Sequence, residues 1–403
     1  MGSEILFFFE VVVGGLLAGT IYSLVALGFV LIYKASATFN FAQGAMVFFA
    51  VLSFVGFMEL GLPFIIAFLV TIGLMVVVGL STERLVLRPL MNQSEDTLLF
   101  SSGMSALSTL MDTLKIGDHI IIQEPIYYAI ADYIRSVCPR RGVELTTIHC
   151  NNMHELYKHI KKGKTKFVWI ETPSNPHWIN VDIKKISQIT ASLECKLIVD
   201  ATCSPACTTN TLGLGADICF QSTTKYLNGH SDALGGALST NKTDDFWETI
   251  TKFRNYHGSI MTPLNAWLLI RGLKTLFIRF QKVSENALQV AQYLSNHPKV
   301  EEVLYPGLKE HASYSIGQKQ MLNGFGGMLS IKLNGGIEDT KKTVSNANIW
   351  MTATSLGSVE SLIEHRKIVE GDSSKVEDNL LRLSVGIEAV EDLIYDIDQA
   401  IST

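Results

Sequence analysis

Charge is scarce at the start of this 403-residue chain. Of its 33 basic and 38 acidic side chains, residues 1–93 carry only Glu4, Glu10, Lys34, Glu59, Glu83, Arg84 and Arg88. Between Val11 and Thr82 only Lys34 and Glu59 are charged, so no water-facing side can be drawn on a helix there. The rest of the chain has the charge density of an ordinary soluble protein. A chain soluble throughout is thereby excluded, and so is one that lies wholly in a membrane. Cysteine is also sparse. Cys138, Cys150, Cys195, Cys203, Cys207 and Cys219 lack the paired spacing of a zinc site and the density of a secreted scaffold. They read as reduced thiols, with Cys203-x-x-x-Cys207 a coincidence and no metal site. A net charge of −5 without a basic cluster excludes a nucleic-acid partner.

What the first 93 residues do have is three apolar runs, Val11–Tyr33, Phe41–Met58 and Pro63–Leu80. Each approaches the ~20 residues needed to cross a hydrocarbon core of ~30 Å, which predicts three transmembrane helices. A cleaved signal peptide would show a basic start and one short apolar stretch instead. Lys34 follows the first run and Arg84 and Arg88 the third, so the positive-inside rule places the N-terminus outside and everything after Arg88 in the cytoplasm. The run GGLLAGTIYSLVALGFVLIYKASATFNFAQGAMVFFA, closed by ERLVLRP, resembles the start of the membrane permease subunits of branched-chain amino-acid ABC transporters over residues 1 to about 93. Those permeases have many more spans, so transport by this segment alone would lack most of the family's substrate path.

Past Asn92 the pattern becomes short β-branched runs alternating with helical stretches: HIIIQE, KFVWIET, KLIVD, ADICFQST and GGALST. This order predicts an α/β fold with a mainly parallel sheet, whose ligands sit at the carboxyl ends of the strands. After about Asn265 the chain turns helical and amphipathic. It then gives GGMLSIKL and LLRLSVGIE, which suggests a smaller C-terminal α/β domain. The expected division is residues 1–93 as membrane segment, 94–270 as large domain and 271–403 as small domain.

The strand ends carry polar groups that packing does not ask for. KLIVD ends on Asp200, FVWIET runs into Pro173-Ser174-Asn175-Pro176, and ADICFQST runs into Thr224-Lys225. Pyridoxal phosphate uses such groups together. It needs a lysine for its aldehyde, a carboxylate for its ring nitrogen, a phosphate cradle and a flat partner for its ring. Lys225 suits the first and Asp200 the second. Ser102-Gly103-Met104 opens a helix whose N–H groups can meet a phosphate, aided by the hydroxyls of Ser222 and Thr224. Taken singly, these are commonly a surface lysine, a helix cap and a helix start. Their joint order on strand ends is harder to obtain from packing.

FSSGMSAL, ETPSNP, VDATCSPA, ADICFQSTTKYLNGHSDALGG, WLLIRGLKTL, TSLGSVESLIEH and LLRLSVGIE resemble the Cys/Met-metabolism pyridoxal-phosphate enzymes, the cystathionine γ-synthase and lyase group of fold type I. The resemblance covers about Glu95 to Thr403. It implies that Lys225 joins the cofactor and Asp200 pairs with its ring nitrogen, that Gly103, Met104, Ser222 and Thr224 bind phosphate, and that Asn175 faces the ring hydroxyl. It further implies that Tyr127 stacks on the ring as a catalytic residue, that Arg382 clamps the substrate α-carboxylate, and that Ser355 lies beside it. His230 and His365 receive no catalytic role. The implied reaction is β/γ-elimination or γ-replacement on a homoserine ester or cystathionine, in a homo-oligomer formed through the enzyme part and tethered to membrane lipid at the inner or plasma membrane. The opposed reading is a transport or anchoring protein with an inert enzyme half. Family members begin with a Tyr-x-Arg segment that reaches a neighbouring subunit's phosphate. Here permease-like sequence takes its place, both halves end near Asn92–Glu95, and Tyr133-Ile134-Arg135 is a decoy.

Overall fold

The computed structural model describes residues 2–36, 43–82, 84, 96–371 and 374–402. The chain divides into two compact units, Met1–Gln93 and Ser94–Thr403. The junction Asn92–Glu95, and Arg88 with it, lies outside the described residues.

Among its described residues the first unit has helices α1 (Gly2–Ser36), α2 (Gln43–Glu59) and α3 (Phe64–Thr82). Gly61, with φ of +87°, makes the turn between α2 and α3 in the left-handed region that favours glycine. Phe54 of α2 packs edge-on against Phe64 and Phe68 of α3. Three spans were expected, but only two helices, over Glu4–Gly28 and Phe64–Thr82, are long and apolar enough to cross a membrane among the described residues. Helix α2 has 17 residues, or about 26 Å at 1.5 Å per residue, short of a ~30 Å core. The ending of α2 at Glu59, a residue that a hydrocarbon core would penalise, limits its apolar length. The isolated fragment 94–403 is expected to stay in the supernatant after high-speed centrifugation of lysate, whereas the full chain should need detergent. A full-length chain that is soluble and non-aggregated would remove the membrane reading.

The second unit is built on a seven-stranded sheet in the order β1-β7-β6-β5-β4-β2-β3. Its strands are β1 (Asp96–Phe100), β2 (His119–Glu124), β3 (Glu144–His149), β4 (Thr165–Glu171), β5 (Lys196–Asp200), β6 (Ile218–Ser222) and β7 (Gly236–Thr240). Strands β2 to β6 are parallel, as expected, while β7 runs antiparallel to both β6 and β1. Strand β1 was not foreseen, because Asp96 and Thr97 open it with polar residues. Successive residues of β4 enter opposite cores: Phe167 and Trp169 join Phe100, Leu107 and Ile198, while Val168 and Ile170 join Ile121, Leu197 and Val199. Both faces are therefore covered, which is why these strands read as continuous apolar runs.

A second, five-stranded sheet follows in the order β10-β11-β12-β9-β8. It is made of β8 (Val300–Leu304), β9 (Met328–Leu333), β10 (Met351–Thr352), β11 (Leu362–His365) and β12 (Leu380–Ser384). All its pairings are antiparallel except β10 with β11. The helices Leu276–Leu294 and Val390–Ser402 cover it, packing Ala287, Val290, Leu393 and Ile397 against Leu329, Ile331, Leu381 and Leu383.

Candidate active site

Because β1, β4, β5 and β6 point the same way, their carboxyl ends bring Phe100, Glu171, Asp200 and Ser222 to one edge of the large sheet. Glu171 pairs in register with Asp200, Asp200 with Phe220, and Ser222 with Gly236, which in turn faces Phe100.

The glycine-containing turn after β1 starts helix α4 (Gly103–Met111). Ser102 caps it, accepting from the backbone N–H of Ser105 at 3.0 Å, and Ser105 returns the bond to the Ser102 backbone. A Cβ on Gly103 would lie 3.4 Å from both Phe220 and Ser222, and one on Gly236 would meet the Ser102 carbonyl at 2.4 Å. Gly236 thus lets β7 close on the Ser102-Gly103 turn at a helix N-terminus, the setting that suits an anion. The Thr224 hydroxyl is engaged with the Gly235 backbone, accepting at 3.1 Å from its N–H and lying 3.3 Å from its carbonyl.

Asp200 is buried, and its Oδ1 accepts from the Thr202 N–H at 2.9 Å. No lysine or arginine among the described residues is paired with it. Burial pushes its carboxyl up from the usual range, and burial together with Asp200 does the same to Glu171. Two buried carboxyls side by side favour a ligand that brings a proton or a positive charge. Glu171 was quoted in a sequence motif but given no role. It accepts from the Tyr127 N–H with one oxygen and from the Asn175 N–H, at 2.9 Å, with the other. One carboxylate therefore fixes the backbone of two expected site residues. Asn175 is 3% exposed, and its Oδ1 is buried without a partner.

Lys225 follows β6 and donates from Nζ to the Ser355 Oγ at 3.0 Å. Burial, then the nearby Arg382, pulls its amine down to about 8. Arg382, on β12, donates from Nη2 to the carbonyls of Thr354 and Ser355 at 2.8 and 2.9 Å, and its Nε lies 2.8 Å from Glu364 Oε1. Burial lowers this guanidinium to about 10, still charged at neutral pH. The structure thus joins Lys225, Ser355 and Arg382, residues far apart in sequence. Tyr127 is partly buried, and the Arg366 guanidinium lies 5.9 Å from its ring centre. Burial raises its phenol above the ordinary value, so it is neutral at pH 7. Glu364 and Arg366 were not singled out from the sequence. His365 donates from Nε2 to the Asp378 carbonyl (2.8 Å) and His230 from Nδ1 to the Asn228 carbonyl (2.7 Å), both structural contacts.

These residues fit pyridoxal phosphate. Asn175 offers an unpartnered buried oxygen, Asp200 a buried carboxylate without a cation, Gly236 a close approach to Ser102 and Gly103 that a Cβ would block, and Lys225 an amine of lowered basicity.

Residues 86–402 match the family described as Cys/Met metabolism PLP-dependent enzyme. A second match, to the permease component of branched-chain amino acid transport systems, covers residues 11–138. The overlap of the two includes β1 and β2, which belong to the seven-stranded sheet. The chain is 38% identical over 311 residues to a cystathionine beta-lyase of Coxiella burnetii, covering 75% of this chain and 80% of the relative. It is 39% identical over 308 residues to a cystathionine gamma-synthase of Mycobacterium tuberculosis, covering 75% and 79%. With an L-methionine gamma-lyase of Fusobacterium nucleatum it shares 36% identity over 321 residues, covering 77% and 81%. The crystal structure of metB from Corynebacterium glutamicum superposes with a TM-score of 0.72 at 38% identity, over 76% of this chain and 80% of that one.

Proposed function

Since the chain belongs to the Cys/Met-metabolism PLP-dependent enzymes, a family that uses pyridoxal 5'-phosphate, we propose that it performs β/γ-elimination or γ-replacement on an amino acid such as a homoserine ester or cystathionine. The observation that carries this reading is the contact chain Lys225–Ser355–Arg382 beside the buried Asp200. It links an amine that follows a strand of the large sheet, where Asp200 also ends a strand, to an arginine of the smaller sheet, which supports the roles of aldehyde partner, ring-nitrogen partner and carboxylate clamp.

When bound, pyridoxal phosphate supplies the electron sink that allows bonds at the α-carbon of an amino acid to break. Gly103, Met104, Ser222 and Thr224, with the capped start of α4 at Ser102, would hold its phosphate. Asn175 would meet the ring hydroxyl, and Tyr127 would lie against the ring. Lys225 would join the aldehyde. As a free amine, Lys225 would move protons at the substrate carbons. Arg382 holds the α-carboxylate, with the Ser355 hydroxyl positioning the lysine amine. We propose further that α1 to α3 tether this unit to a membrane on the side of Lys34, Arg84 and Arg88, and that it pairs with a second copy. The positive charges support the first statement and the oligomeric habit of the family the second.

The test is the loading of cofactor-free protein, followed by visible absorbance. Only the uncharged Lys225 amine can attack an aldehyde. With its pKa at about 8, the reactive fraction should grow about tenfold per pH unit below that value and level off above it. A loading rate that is flat from pH 6 to 8, or that keeps climbing to pH 10, would show that another group sets the rate.

Asp200→Asn is expected to load cofactor yet lower turnover by roughly 10²–10³-fold, the usual effect of removing one preorganised electrostatic partner. A neutral amide cannot hold a proton on the ring nitrogen. Turnover within threefold of wild type would give that task to another residue.

A further inference from the structure

The loop that carries Asn175 is gripped from the smaller sheet. It joins β4 to the helix Ile183–Ser192 and closes on itself: the Ser174 N–H donates to the Ile179 carbonyl at 3.0 Å, and the Trp178 N–H to the Ser174 carbonyl. Asn175 lies inside this closed turn, its N–H on Glu171 and its Oδ1 buried without a partner. Trp178 has a φ of +57°, in the left-handed region that bulky side chains rarely adopt, so surrounding contacts must hold it there. Its indole is fully buried, and Nε1 donates to Ser330 Oγ at 2.8 Å. The same hydroxyl donates to the Pro176 carbonyl at 2.7 Å. One buried hydroxyl therefore grips the turn on both sides of His177. His177 itself reaches Glu377 at 3.1 Å, but that pair is partly exposed and contributes little.

The place of Ser330 in the smaller sheet gives this grip its meaning. On the antiparallel pair β9 and β12, Ser330 stands directly opposite Arg382. Side chains directly opposite each other project from the same face of a sheet. Arg382 uses that face to bond the Ser355 carbonyl, next to the hydroxyl that meets Lys225, and Ser330 uses it to bond the turn of Asn175. We propose that Ser330 and Trp178 are positioning residues for the cofactor: they fix Asn175 where it meets the ring hydroxyl, and fix it relative to Arg382. The proposal rests on that role of Asn175. Without the Ser330 hydroxyl, the Pro176 carbonyl and the Trp178 indole both lose a buried partner. A turn held in a costly conformation then relaxes, and Asn175 moves with it, because it stands between Ser174 and Pro176 in the chain.

The test is a double-mutant cycle on the affinity of full-length, cofactor-free protein for pyridoxal phosphate, measured by equilibrium dialysis. Ser330→Ala removes the hydroxyl, and Trp178→Phe removes only the indole donor. Each should weaken binding by roughly five- to tenfold, and Asn175→Ala by roughly tenfold, the size of one buried hydrogen bond. Residues that act through one another are not additive. Adding Ser330→Ala to Asn175→Ala should therefore weaken binding by less than threefold beyond Asn175→Ala alone. A further loss of threefold or more overturns the proposal, because Ser330 would then support the protein without acting through Asn175. Should Ser330→Ala fail to fold, Trp178→Phe takes its place in the cycle with the same threshold. A Ser330→Ala protein that folds and binds as tightly as wild type overturns the proposal alone. An Asn175→Ala protein that binds as tightly as wild type overturns the role given to Asn175, and the proposal with it.

Discussion

Lys225→Ala is expected to abolish turnover, with a loss of roughly 10⁴-fold or more, while the protein stays folded. Two effects add. A positioned proton-transfer group contributes about 10²–10⁴-fold by itself. The same amine would also hold the cofactor in place, so its removal loosens the group on which the chemistry depends. Folding should be little affected, because among the described residues the Lys225 Nζ donates only to Ser355 Oγ, and an amine held at about 8 by burial is a strained occupant of its site. Thermal unfolding and turnover measured on one preparation would separate the two. A variant that keeps more than about one hundredth of wild-type turnover would show that Lys225 is not the proton carrier. Loss of the folding transition would instead make Lys225 a structural residue.

The parts of this site that the sequence revealed are those whose chemistry is unusual where it stands. An aspartate closing an apolar strand, a glycine between Ser102 and Met104 at a helix start, and a lysine after Ser222-Thr223-Thr224 each break the local pattern, and each is found at the same edge of the large sheet. The parallel order of β2 to β6 was legible for a similar reason, since strands buried on both faces leave runs such as FVWI and KLIV. Glu171, Glu364 and Arg366 were illegible because their roles come from partners distant in sequence. Glu171 matters through the backbone of Tyr127, 44 residues earlier. Arg366 looks like a helix-start surface residue until Glu364 and Glu370 are seen to enclose it. The second sheet was read only in β9 and β12, the strands at its centre. The edge strands β8 and β10 are exposed or intermediate in burial and carry no alternation long enough to read. Of the three expected spans, α2 is apolar but is shorter than a span among the described residues, and the first residues of its run lie outside them.

Arg382→Leu is expected to weaken substrate binding by about 10²–10³-fold, appearing mainly in KM. Arg382 is buried and keeps its charge at neutral pH, and its Nη2 is anchored to two carbonyls while its Nε meets Glu364. A planar fork can hold these contacts and still offer a donor to a substrate carboxylate; a lysine ammonium cannot, so Arg382→Lys should recover less than a tenth of the loss. Removing one member of a buried charged pair usually costs about 3–5 kcal/mol, because the partner is left uncompensated. Here Glu364 keeps Arg366 as a second counter-charge, which moderates the effect on folding and leaves most of the loss at the substrate carboxylate. At 1.4 kcal/mol per factor of ten, a loss of about 3–4 kcal/mol corresponds to the range given. Steady-state kinetics on Arg382→Leu, with an amino acid and with its α-amide, would check the assignment. The amide lacks the carboxylate and should show almost no further loss. If the variant weakened both compounds equally, Arg382 would be supporting the site and not binding the carboxylate.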